Sequence, residues 1–272
     1  MSRIIDFHTH AFPDQVAVQA IPALEKEGKV KAYHDGRLVS LLATMDAAGI
    51  ERSVICSIAT RPTQFDAILN WSRLIASPRI IPFPSVHPDD PQLLERISQI
   101  RAAGFVGLKM HPYYQGFTLD EAKMWPLYQR IAAENLVLVM HTGFDIAFPR
   151  EAIASPARIV RVVERVPSLK LIATHLGAWE QWEEVERELV GRPLYMDISY
   201  TLHQLAPAQA RRIILGHPAD YLLFGTDSPW ADQRTVLAEL AALKLPAELE
   251  RKILWDNGIK LLAGAASAED AV

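Results

Sequence analysis

The 272-residue chain is poor in cysteine. Cys56 stands alone, so neither an intramolecular disulfide framework nor a cysteine-rich zinc site can be built, and any metal must be held by histidine and carboxylate. Blocks of one charge are also missing. Lys and Arg number 28 against 32 Asp and Glu, a formal net charge of -4 with no basic tail, which leaves no electrostatic footprint for nucleic acid or an anionic membrane. No apolar run approaches the roughly 18 residues of a membrane span, and the opening MSRIIDFHTH has neither the basic start nor the apolar core of a signal peptide. These absences lead to the expectation of a cytoplasmic protein acting on a small molecule, with a homodimer as the default assembly.

What the chain does have is apolar mass and rhythm. Half of its residues (50%) are apolar, and its length suits one α/β barrel of roughly 250 residues. Eight short apolar or β-branched runs recur: Ile4–His10, Ser53–Ile58, Ile80–His87, Phe105–His111, Val137–Thr142, Leu169–His175, Leu194–Ser199 and Tyr221–Thr226. Stretches of helical periodicity lie between most of them, such as Leu38–Ala48, Pro91–Ala102, Leu119–Glu134, Pro156–Val166 and Gln181–Leu189. Eight parallel strands with right-handed crossovers close into a (β/α)8 TIM barrel, predicted here as a single domain over 1–272. The first connection, 11–37, is long and carries Pro13, Pro22 and His34-Asp35-Gly36, so it is expected to form a lid or cap. Ala265–Val272 reads as a loose tail.

Histidines and an aspartate close run after run, which in a barrel is the face where loops gather and ligands bind. In Asp6-Phe7-His8-Thr9-His10 the strand period of two sends His8 and His10 to the same side, close enough to share a cation. His141 and His175 each end an apolar run before a glycine, in His141-Thr142-Gly143 and His175-Leu176-Gly177. Asp227 follows Phe224-Gly225-Thr226, at the depth of a metal ligand or general base, although a helix N-cap before Pro229 would use the same residue type.

Together, the opening His8-X-His10, His141-Thr142-Gly143, His175-Leu176-Gly177 and Gly225-Thr226-Asp227-Ser228-Pro229 resemble the amidohydrolase superfamily, specifically its amidohydrolase-2 branch, from first strand to eighth. The resemblance implies a (β/α)8 barrel, zinc or another divalent ion, and either hydrolysis or nonoxidative decarboxylation of small carboxylated substrates. Carried over by motif, His8, His10, His141 and Asp227 are metal ligands, and His175 is a ligand or a catalytic hydrogen-bonding group beside the catalytic Asp227.

Lys109 and His111 share the inward side of the fourth run. In binuclear members of the superfamily a lysine here is carboxylated and bridges two metals; Lys109 is otherwise a cationic anchor for a substrate carboxylate, the favoured role, or a buried lysine paired with Asp227 or Asp197. His111, His87 and Trp230 join it as expected substrate contacts, and Asp197 as a residue that orients a ligand imidazole or binds substrate. Tyr113, Tyr114, Trp179 and Trp182 lie near the loop face, where they could wall a cyclic substrate. The expected function is metal-dependent hydrolysis of an amide, lactone or ester bond in a small carboxylated or cyclic substrate, with one Zn2+ favoured over two ions. Decarboxylation is the alternative, and a catalytically inert metal-binding protein the minor one.

Overall fold

The structure, a computed structural model, describes residues 3–266. Each of the eight runs has a strand at its centre: β1 (Ile5–Thr9), β2 (Arg52–Cys56), β3 (Ile80–Phe83), β4 (Gly107–Met110), β5 (Val137–Met140), β6 (Lys170–Ala173), β7 (Tyr195–Asp197) and β8 (Leu222–Leu223). All pair in parallel, in the orders β1-β2-β3 and β4-β5-β6-β7-β8. Hydrogen bonds outside the regular ladders join these two arcs. The Lys109 N–H donates to Pro84 O at 2.8 Å and Ser85 Oγ to Lys109 O at 2.8 Å, while the Phe7 N–H donates to Phe224 O at 2.8 Å. The result is the (β/α)8 ring that the alternating runs predict.

Period-two alternation divides the buried side chains into two layers. On β5, Val137 and Val139 join Val54, Phe83, Ile172 and Leu223 inside the barrel, with Leu261 and Ala265 of the C-terminal helix Asn257–Ala265 in the same cluster. Leu138 and Met140 face the other way and pack into the larger cluster with helical residues such as Ile131 and Ile159. Each such side chain, fully buried, contributes roughly 1.5–3 kcal/mol. No helix among the described residues is long and apolar enough to cross a membrane.

Strict alternation fails on β1. Asp6 pairs with Ser53 but Thr9 with Ile55, so β1 spends one extra residue over that interval, as a bulge does. Phe7 therefore lies in the inner cluster while its neighbour His8 also reaches the barrel mouth. Asp6, which simple alternation places one inward step below His8, instead accepts hydrogen bonds from Thr226 and Gln233.

The long first connection holds a helix, α1 (Asp14–Gly28), with Pro22 inside it. After α1 a strap returns to the loop beyond β8: the Tyr33 N–H donates to Pro229 O at 2.8 Å, and His34 Nε2 lies 3.0 Å from Ser228 Oγ. At the other end of the chain, Ala265 closes the last helix rather than opening a loose tail, and 267–272 lie outside the described residues.

The loop after β5 depends on a glycine. Gly143 has φ +87°, and a Cβ there would lie 2.0 Å from Trp179 N and 2.4 Å from Trp179 O, both backbone atoms. Gly191 has a similar φ of +90° with nothing within 4 Å of its Cβ position. Gly143→Ala should therefore cost about 2–4 kcal/mol, since clash adds to backbone strain, and Gly191→Ala only about 1 kcal/mol. Urea midpoints that fall equally for the two variants would refute the steric account.

Candidate metal centre

Five of the sequence-selected side chains meet at the mouth of the barrel. His8, His10, His141, His175 and Asp227 all line one cavity of about 190 Å3, together with Lys109, His111 and Trp230. His87 does not line it. That ring turns into its own loop, where Nδ1 accepts from the Asp89 N–H at 3.1 Å, so ending a run after β3 did not bring it to the centre.

The four imidazoles are held from behind. His8 Nδ1 lies 3.1 Å from Asp197 Oδ2 and 2.9 Å from Ser199 Oγ. His10 Nδ1–H donates to Cys56 O at 2.8 Å, and His175 Nδ1–H to Ser199 O at 3.0 Å. In His141 it is Nε2–H that donates, to Phe144 O at 2.9 Å. These partners set the tautomers, leaving His8 Nε2, His10 Nε2, His175 Nε2 and His141 Nδ1 as lone pairs.

Those lone pairs meet in two groups within the one cavity. His141 Nδ1 is 3.1 Å from His175 Nε2, and Asp227 Oδ1 is 3.0 Å from His10 Nε2 and 3.5 Å from His8 Nε2. Acceptors this close repel unless a cation lies among them. Lys109 Nζ, donating to His8 Nε2 at 3.1 Å, is the nearby positive charge. The nitrogen and oxygen donors fit a divalent ion, and three overlapping or adjoining sets have the spacing of a shared metal: His8, His10 and Asp227; His8, His175 and Asp197; and His111, His141 and Asp145.

Protonation states agree with this. Burial, reinforced by the Lys109 charge, holds His8 and His111 well below the usual imidazole range; burial does the same for His141, with His111 and His175 adding to it. Burial pushes Asp227 up, but His8, His10 and His175 outweigh it and the carboxyl stands below its ordinary value. Burial also lowers Lys109, against Cys56, Asp227 and Asp197, which raise it. The Cys56 thiol, pushed up to about 12 by burial, stays protonated.

Backbone geometry fixes these positions. His175 (φ +59°) and Asp227 (φ +68°) both occupy the left-handed region, which non-glycine residues hold only where surrounding contacts impose it. For His175 those contacts include Asp197 Oδ1, which accepts from the His175 N–H at 3.1 Å, and Trp182 Nε1, which donates to His175 O at 3.0 Å. Trp182 thus supports a loop rather than walling the cavity, and Tyr113 likewise donates to Gly143 O at 3.1 Å. Tyr114, Trp179 and Trp230 do line the cavity.

Three participants escaped the sequence reading. Asp145 lines the cavity 3.3 Å from His111 Nε2, while His111 stacks on His141 with centroids 4.0 Å apart. Its signal was an acid four residues after His141, in a loop. Ser199, two residues beyond Asp197 and so on the same side of the strand, contacts His8 and His175. Tyr200 lines the cavity from a left-handed backbone with φ +48°.

The family model described as amidohydrolase matches residues 5–263. The chain belongs to the amidohydrolase family. Among solved structures, an uncharacterised TIM-barrel protein from Bordetella bronchiseptica aligns at TM-score 0.77 with 20% identity, covering 97% of this chain and 99% of its own. A Pseudomonas putida protein described as a 2-pyrone-4,6-dicarboxylic acid hydrolase aligns at 0.66 with 17% identity over 98% of this chain and 100% of its own. A 5-carboxyvanillate decarboxylase from Novosphingobium aromaticivorans, complexed with manganese and 4-hydroxy-3-methoxy-5-nitrobenzoic acid, aligns at 0.69 with 14% identity over 96% of each chain. No curated protein sequence matches the chain. At these identities the structural likeness establishes the shared barrel.

Beneath the centre, burial pushes the Asp6 carboxyl up to about 7. Between the unfolded value near 4 and about pH 7 the folded protein then holds one more proton than the unfolded chain, so Asp6 subtracts stability as pH rises through that window. The buried neutral histidines act in the opposite sense, which makes the informative quantity the difference between wild type and Asp6→Asn. Gln233 Oε1 has no partner, so the Gln233 amide can turn to accept from the side-chain NH2 that this substitution introduces. The variant should gain on wild type from about pH 5 to about pH 7.5 in urea titrations; a pH-independent difference would show Asp6 to be ionised throughout.

Proposed function

We propose that this amidohydrolase is a metal-dependent hydrolase that cleaves an amide, lactone or ester bond of a small substrate by attack of an activated water. The observation that carries this reading is the convergence of four imidazole lone pairs and one ionised carboxylate, each imidazole oriented from behind. One ion is proposed, held by His8, His10, His141, His175 and Asp227. Zn2+ is the best match to these donors, and manganese, present in the decarboxylase neighbour, suits the same ligand types.

When bound, such an ion polarises the scissile carbonyl and lowers the pKa of a nearby water. Asp227 has one oxygen turned toward His8 Nε2 and His10 Nε2, where a cation would sit; the other takes the proton of the attacking water and delivers it to the leaving group. Lys109 Nζ, already directed at His8 Nε2, donates to the oxygen on which negative charge develops or to a substrate carboxylate. Because it is fully buried, this donor is worth more than the same contact in water. His111 and Trp230 contact the substrate body. The segment 11–37 caps the site, with Phe12, Leu24 and Val30 on the cavity wall.

A second reading, nonoxidative decarboxylation, is supported by the aromatic walls of Tyr114, Trp179, Tyr200 and Trp230, which suit a planar ring. Asp227 would then take a proton from a substrate hydroxyl or a bound water and pass it to the ring carbon that carbon dioxide leaves. Carbon dioxide release against acid formation from ester and lactone probes separates the two.

His8→Ala and His141→Ala should each lose metal and activity together while the far-ultraviolet spectrum stays barrel-like; stoichiometric metal in both variants would sink the assignment. Asp197→Asn, which weakens the hold on His8 without removing a ligand, should lower metal affinity about 10- to 100-fold in chelator competition. Asp227→Asn should lower kcat by about 10²–10⁴, and unchanged turnover would remove Asp227 from the chemistry.

A further inference from the structure

Resting on the hydrolase reading for its reactive end, a narrower statement concerns the rest of the ligand. We infer that the cavity takes a substrate of one ring bearing at most one negative charge, of the lactone, lactam or aryl ester class, and excludes dicarboxylates. The part of the cavity beside the centre holds about 190 Å3 before it meets the neighbouring depression at Val30, Tyr200 and Trp230, little more than the roughly 150 Å3 that admits a single benzene.

The charge argument comes from the wall. Among the described residues that line the cavity, Lys109 is the only lysine and there is no arginine. Lys109 lies at the reactive end, donating to His8 Nε2 at 3.1 Å, with the carboxylates of Asp227, Asp197 and Asp145 acting on it. Its charge serves one substrate oxygen or carboxylate there and is not offered to a second. Arg150 sits 5.2 Å over the ring of the lining residue Trp179 and is ion-paired with Glu180.

The remaining surface is aromatic and aliphatic: Tyr114, Trp179, Tyr200 and Trp230, with Ile58 and Ile146. A carboxylate pressed against such a surface loses its water without gaining a partner. Asp145, on the same wall beside His111, adds repulsion.

The test uses three probes on one ring: benzamide, benzoate and isophthalate, titrated into the metal-loaded protein by calorimetry and by quenching of tryptophan fluorescence. Benzamide and benzoate should each bind roughly tenfold or more tighter than isophthalate. Ile146→Arg, a change at a side chain 44% exposed, supplies the missing counter-charge and should close the gap between benzoate and isophthalate. Isophthalate binding wild type as tightly as benzoate overturns the inference, as does failure of all three to bind at millimolar concentration. Metal content measured on the same samples keeps the two questions apart. The expected ranking in protein that takes up no metal removes the hydrolase reading and leaves the cavity assignment standing; metal-loaded protein with the reverse ranking does the opposite.

Discussion

Crowding of like electrostatic character at the barrel mouth is the constraint on which the rest of this structure depends. Lone pairs of four imidazoles and a carboxylate are brought together where solvent is nearly excluded, an arrangement that separates spontaneously unless something opposes it. The opposition is built from the backbone outward. Carbonyls of Cys56, Phe144 and Ser199 take the outer ring hydrogens of His10, His141 and His175, Asp197 and Ser199 hold His8, and left-handed turns at His175 and Asp227 set the angle of approach. The apolar barrel below serves as the rigid base of a site that would otherwise relax.

The fold was legible because its signal is periodic. Eight apolar runs separated by helical stretches leave few arrangements besides a parallel ring, and each run does contain a strand. The ends of the runs were legible for the same reason: His141, His175 and Asp227 stand where an apolar run stops, and the barrel turns that position in the chain into a position in space. His87 shows the limit of that rule, since it too follows a run, yet the loop beyond β3 turns it toward Asp89.

What the sequence concealed is of two kinds. The bulge in β1 is a one-residue irregularity in hydrogen-bond register, and no residue type announces it; it sends Asp6 to Thr226 and Gln233 against the alternation that placed it below His8. Asp145 and Tyr200 sit on loops, where period carries no information and only the fold decides which side chains face the cavity. Helix α1 lies within the long first connection, whose secondary structure the sequence reading did not assign, and it carries Pro22 inside it.

The strap that follows α1 ties the mouth of the cavity to its chemistry. Tyr33 and His34 are hydrogen-bonded to Pro229 and Ser228, the residues directly after Asp227, and the Asp227 N–H in turn donates to His8 O at 2.7 Å. The strap is therefore tied to the same few peptide units that aim the carboxylate. The wall of the entrance and the alignment of the centre share one run of backbone, so a change in the sequence of either is felt by both.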